Sequence, residues 1–181
     1  ENRVFYVSLS ISRETNVVRR YTFDPEDMAA TYATETLVIE VYAEGSPRPW
    51  HNVGAIGFTD AGAMWILHGD KKQPHFAQDP TKPTGKVLRV NPSMGREGGY
   101  TVPDDNPYAD GSGHPAVWAI GVRSPWTGVY ADGVLYFGDV GRDHWEELNR
   151  LDQNGLNFGW AGLDQLCEGP CGVPDEALRD P

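Results

Sequence analysis

Cysteine is nearly absent from this chain. Cys167 and Cys171, both in CEGPC near the C-terminal end, are all that 181 residues contain. Two thiols with no adjacent histidine do not make a zinc site. They read either as a small disulfide loop in an exported protein or as a pair of free thiols. Positive charge is also scarce: 15 Lys and Arg stand against 26 Asp and Glu, a formal net charge of −11. So acidic a chain repels phosphate backbones, which argues against nucleic acid as a partner and favours small molecules, Ca²⁺ or cationic partners. No apolar run approaches the ~20 residues of a membrane span. Helical periodicity is confined to DPEDMAATYATETL, good for a turn or two, and PDEALRDP, good for one more. No secretory leader opens the sequence: Glu1 leads almost directly into RVFYVSLS, as in a mature, processed or partial chain.

What the chain has in quantity is glycine, proline and aromatic residues. Twenty-one Gly and 14 Pro are spread along it with six Trp, eight Tyr and six Phe, the composition of many short strands joined by frequent turns. One unit recurs: a turn, a strand of apolar alternation, a polar loop, and a strand carrying Arg shortly before Asp or Asn. Its clearest copy is TDAGAMWILHGD (59–70) followed by GKVLRVNP (85–92). A second is ADGVLYFGDVG (131–141) followed by EELNRLDQNG (146–155), and a partial one is NRVFYVSLS (2–10) with NVVRRYTFDP (16–25). These copies predict strand pairs near 63–68 with 86–91 and 134–138 with 147–152. A unit apolar on both strand faces cannot bury itself, and radial repetition about an axis solves that problem. The expected fold is therefore all-β, a β-propeller of antiparallel blades. About three blades are represented, either as part of a longer chain or as a propeller that a partner completes.

Three clusters carry chemistry. His51, in HNVGAIGF, follows Trp50 and precedes the small residues Gly54 and Ala55. It reads as a ring packed on Trp50 or Trp65, as an exposed loop residue, or as a general base beside room for a planar ligand, since imidazole ordinarily titrates near neutrality. Arg123 and Ser124, in AIGVRSPW, sit where Pro125 forces an extended backbone. The guanidinium there takes either a ligand carboxylate or one of the chain's own acids. In YFGDVGRDHWEELN (136–149), Gly138 and Gly141 stand among Asp139, Asp143, Glu146 and Glu147, a hard-oxygen environment suited to Ca²⁺ or simply a solvated acidic loop. HGD (68–70) with His75 lacks usable metal-ligand spacing, and GSG (111–113) is a turn.

Taken in order, HNVGAIGFTDAGAMWILHGD, AQDPTKPTGKVLRVNP, YTVPDDNPYAD, VWAIGVRSPW, GVLYFGDVGRDHWEELN and GLNFGWAG resemble the glucose/sorbosone dehydrogenase family over about residues 2–162. The resemblance implies a PQQ- and calcium-dependent aldose dehydrogenase on a six-bladed β-propeller, periplasmic or extracellular. Residues 1–162 would be central blades, and 163–181 a cysteine-containing loop and the start of the next segment. His51 would be the general base toward the sugar C1 hydroxyl, with hydride passing to PQQ. Arg123 would hold PQQ carboxylates, and Ser124 would stand where the family has a cofactor-contacting Asn. Backbone carbonyls of Gly141 and Arg142 would ligate Ca²⁺. The substrate would be a small-molecule sugar, with no partner implied beyond an electron acceptor and the remaining blades.

The sequence departs from that pattern at Val53, where the family usually has Gly, at Ser124, and at Lys71 and Lys72, where Gly is common. These departures keep a second reading open: a non-catalytic propeller of the same lineage that serves as a binding or assembly module.

Overall fold

The computed structural model describes residues 3–142 and 145–162, nearly all of it antiparallel strand and connecting turn. The first sheet has the order β1 (Val4–Ser10), β2 (Thr15–Thr22), β3 (Thr36–Tyr42), with a short helix α1 (Met28–Ala33) between the last two. The helix starts where Asp27 accepts from the backbone N–H groups of Ala29 and Ala30, a side-chain cap that satisfies two otherwise unpaired donors. The middle sheet runs β4 (Val53–Phe58), β5 (Met64–His68), β6 (Lys86–Pro92), with β7 (Tyr100–Thr101) and β8 (Val117–Ile120) both on β6. A one-turn helix α2 (His75–Gln78) lies between β5 and β6. The third sheet is β9 (Pro125–Ala131), β10 (Val134–Asp139), β11 (Glu147–Leu151), in spatial order 11-10-9. Both predicted strand pairs form, in registers that include Met64↔Val90 and Leu135↔Leu151, and the partial copy pairs likewise, with Val4↔Thr22.

The middle sheet is covered on both faces, which explains why β5 reads as an unbroken apolar run. Alternation along the strand sends Met64 and Ile66 into one core, with Val18 of β2 and Val38, Ile39 and Val41 of β3. Trp65 and Leu67 enter a second core, with Leu135 and Phe137 of β10 and Leu151 of β11. Each sheet thus stacks face to face on the next, the layering of propeller blades. Val38 and Ile39 are neighbours yet both buried, because a bulge opposite Val18 and Arg19 adds a residue to β3 and turns both side chains inward. The β9–β10 hairpin closes on Asp132 and Gly133, at φ 51 and 82. Two positive φ values in a two-residue loop are the turn geometry that Asp-Gly favours.

One detail corrects the reading of the sequence. Gly54 does not leave room for a ligand: a Cβ there would stand 2.0 Å from the carbonyl oxygen of Pro125. Its smallness lets the backbones of β4 and β9 touch, locking the second sheet to the third. The disulfide expected between Cys167 and Cys171, and the helical turn expected at 174–181, lie outside the described residues.

Gly54→Ala is expected to destabilise the chain by about 1–3 kcal/mol through forced backbone displacement, read from the urea midpoint at constant slope. A loss below ~0.5 kcal/mol would refute the tight β4–β9 contact.

Candidate functional site

The hairpin β4–β5 opens at one end of the middle sheet, and its two open ends carry the chemistry. Val53 pairs with His68, and the Gly69 N–H donates to the Asn52 carbonyl at 3.0 Å, which brings His51 opposite Asp70. Gly69 is required there, because a Cβ would lie 2.6 Å from the His51 carbonyl oxygen. His51 takes a left-handed backbone, φ 50, and its Nδ1 lies 2.5 Å from Asp70 Oδ1. The imidazole is 10% exposed and the carboxylate 1% exposed.

Asp70 is saturated with neutral donors. Besides His51, Oδ1 accepts from the Lys72 N–H at 2.8 Å, and Oδ2 from Trp160 Nε1 at 2.8 Å. A carboxylate only accepts, so the proton in this contact sits on His51 Nδ1. The Asp70 N–H in turn donates to the Arg123 carbonyl at 2.8 Å, so the same residue ties the hairpin mouth to the β8–β9 turn.

That turn is held from its other side by Asp139, whose Oδ2 and Oδ1 accept from the backbone N–H groups of Arg123 at 2.8 Å and Ser124 at 2.6 Å. Burial pushes the Asp139 carboxyl up to about 7, against the pull of those two N–H donors. The Arg123 guanidinium, almost wholly buried, donates through one terminal nitrogen to the Val140 carbonyl at 2.7 Å and the Gly141 carbonyl at 2.8 Å. Its carbon sits 5.3 Å from the centre of the Trp160 ring. The Gly141 N–H donates to Glu146 Oε2 at 3.1 Å, and Arg142 stands exposed beside it. Gly141 has to be glycine because Trp145 O would lie 1.5 Å from its Cβ. Gly138, by contrast, lies within β10, beside an irregularity in its pairing with β9, and forms no turn.

His51, Arg123, Ser124 and the Gly141 turn therefore come together at one place. What sequence reasoning missed is the group that joins them. Asp70 was weighed only as part of a metal motif, and among the described residues no cluster of three His, Cys, Asp or Glu could hold a metal. Trp160, from GLNFGWAG, supplies the second unassigned contact.

Two lysines complete the surroundings. Lys71 and Lys72 occupy consecutive left-handed positions, φ 55 and 61, a backbone in which glycine costs least. Lys71 is buried, and its Nζ donates to Asn52 Oδ1 at 2.6 Å. Desolvation holds its ammonium below the usual lysine range. Beneath the site His68 is fully buried, with Nδ1 2.7 Å from the Gly69 carbonyl. Burial brings its imidazole down to about 4, so the folded state holds it neutral.

The sequence profile described as Glucose / Sorbosone dehydrogenase matches residues 1–168. Among curated proteins, the chain is 32% identical over 175 residues to the HIPL1 protein of Arabidopsis thaliana, covering 85% of this chain and 24% of that protein. It is 31% identical over 118 residues to the aldose sugar dehydrogenase YliI of Escherichia coli K12, covering 61% and 29%. Among solved structures, the PQQ-bound aldose sugar dehydrogenase of Streptomyces coelicolor superimposes with a TM-score of 0.79 at 23% identity, over 100% of this chain and 48% of that one. The apo-form soluble aldose sugar dehydrogenase of Escherichia coli gives a TM-score of 0.71 at 24% identity, over 88% and 45%. At that identity the likeness is one of fold. The chain spans less than a third of either curated relative's length and about half of either structure's.

The neutral, buried His68 has a consequence for acid stability. Its folded pKa lies below the ordinary imidazole value, so unfolding takes up a proton as pH falls from about 6.5 toward 4. Asp139, raised to about 7, works the other way over the same interval. The two are separated by comparing the wild type with His68→Leu. Between pH 7.5 and 4.5 the variant is expected to lose about 2–3 kcal/mol less stability than the wild type, read from urea midpoints. Equal losses would refute a neutral His68.

Proposed function

The chain belongs to the glucose/sorbosone dehydrogenase family, and on that premise we propose that it forms the central blades of a PQQ- and calcium-dependent enzyme that oxidises an aldose sugar. The observation that carries the reading is the Asp70 carboxylate, which joins His51 to the Arg123 turn through its side chain and its own N–H. On this reading residues 1–162 are the propeller portion and 163–181 begin the next segment, in a periplasmic or extracellular protein.

The residues present fit the absent groups by the chemistry of their donors. The Gly141 carbonyl, proposed with that of Arg142 as a calcium ligand, already faces a cationic nitrogen, and Ca²⁺ is bound by just such oxygens. Arg123 offers a buried guanidinium to a carboxylate, and Ser124 stands next to it. When bound, PQQ supplies the acceptor for the hydride, and with it the two electrons, that leaves the sugar.

The chain's own part is proton chemistry and positioning. Asp70 fixes the imidazole ring and keeps the proton on Nδ1 of His51. The acceptor Nε2 then takes the proton of the sugar C1 hydroxyl as the C–H bond gives up its hydride. Asp70 stabilises the imidazolium that results, while Trp160 and the Lys72 N–H keep the carboxylate from turning away.

In the full-length protein supplied with PQQ and Ca²⁺, dye-linked oxidation of aldoses is expected, and His51→Ala should lower kcat by ~10² or more. PQQ retention, followed by its absorbance after gel filtration, should survive that change. Arg123→Ala should instead release PQQ. A wild-type protein that neither takes up PQQ nor oxidises any aldose would leave the binding-module reading in its place.

A further inference from the structure

Arg123 has a fixed backbone and a side chain held by neutral groups. Its N–H is held by Asp139 and its carbonyl by Asp70. None of the ion pairs among the described residues includes its guanidinium. That positive charge rests on two neutral carbonyls, Val140 O at 2.7 Å and Gly141 O at 2.8 Å, with the Trp160 ring on one side.

Gly141 O is thus claimed twice. The reading above makes it a calcium ligand, and a Ca²⁺–oxygen contact is about 2.3–2.6 Å. A guanidinium hydrogen-bonded to the same oxygen would place two cations within a few ångströms in a buried setting, where their repulsion is poorly screened. A carboxylate is a better partner for a guanidinium than a pair of carbonyls, because it is charged and can take two parallel N–H bonds.

We infer that Arg123 is an internal cation that caps the Gly141 carbonyl and yields it to Ca²⁺ only when an anionic ligand offers the guanidinium a carboxylate. Metal and carboxylate-bearing cofactor then load together, and each strengthens the other's binding by the same factor. Without the cofactor, the site is closed to the metal by the protein's own side chain. This inference rests on the calcium part of the proposed function.

The test is Ca²⁺ binding, by calorimetry or equilibrium dialysis, to the full-length protein freed of metal and PQQ. Without PQQ, the neutral variants Arg123→Gln and Arg123→Met should bind Ca²⁺ at least 10-fold more tightly than the wild type. Arg123→Lys, which keeps a cation, should remain weak. Circular dichroism checks that each variant is folded. A wild-type measurement guards against variants that are not: in protein labelled with ¹⁵N-arginine, saturating Ca²⁺ without PQQ should leave the Arg123 side-chain resonance in place, and Ca²⁺ with PQQ should shift it as the guanidinium leaves. Neutral variants that gain nothing, or an Arg123 resonance that Ca²⁺ shifts without PQQ, would overturn the capping role while leaving the metal site standing. If the wild type takes up no Ca²⁺ even with PQQ, the calcium reading falls and the inference with it.

Discussion

The arrangement depends on one buried carboxylate. Asp70 lies at the end of β5, has almost no solvent, and accepts from His51, from the Lys72 backbone and from Trp160. An ionised group with so little water is tolerable only when its lone pairs are filled. Here they are filled by donors from three separate stretches of chain. Removing any donor leaves the charge short of partners, so each stretch is held by the others. That is why a histidine before β4 and a tryptophan after β11 keep a common geometry although they lie in different parts of the fold.

The carboxylate can serve this way because the strand that carries it cannot move. β5 is buried on both faces, between a core shared with the first sheet and a core shared with the third. Each buried Leu, Ile or Phe in those layers contributes about 1.5–3 kcal/mol. A shift of β5 would therefore disturb two interfaces at once. The Gly54 and Gly69 contacts add backbone stops, against Pro125 and His51. Packing fixes the strand, the strand fixes the carboxylate, and the carboxylate fixes the histidine.

Much of this was legible in the sequence, and what was not has a physical reason. The hairpins were readable because Asp-Gly turns and two-residue alternation are local signals, and the pairs of β5 with β6 and β10 with β11 fall where the repeat put them. His51, Arg123 and Gly141 were readable as separate candidates, because each sits in an unusual local sequence. Asp70 was missed because its role lies in a register: counting outward from Val53↔His68 sets it opposite His51, but an irregularity between Val53 and Ile56 offsets any count made from the turn. Asp139 looked like part of an acidic calcium loop, whereas its oxygens are spent on the Arg123 and Ser124 N–H groups. Whether an acid faces solvent or a backbone donor depends on the fold. So does Gly54, whose small size looked like space for a ligand and proved to be space for a neighbouring strand.

Three of the internal cations share an arrangement that bears on function. Lys86 is fully buried, and its ammonium donates to the carbonyls of Phe76, Ala77 and Thr84, with burial lowering it to about 7. Arg20 donates to the carbonyls of Ser93 and Gly95, and Arg123 to those of Val140 and Gly141. In a chain with 11 more acids than bases, these three rest on carbonyls, whereas the buried Arg89 pairs with Asp105 at 2.7 Å. A carbonyl satisfies a cation's donors without cancelling its charge, so the field of the guanidinium or ammonium persists in the interior. Asp70 shows the converse, a buried anion with mainly neutral donors. Keeping the two signs apart leaves Asp70 free to stabilise a charge that appears on His51, and leaves Arg123 with a charge to offer an incoming anion. Pairing them directly would have neutralised both.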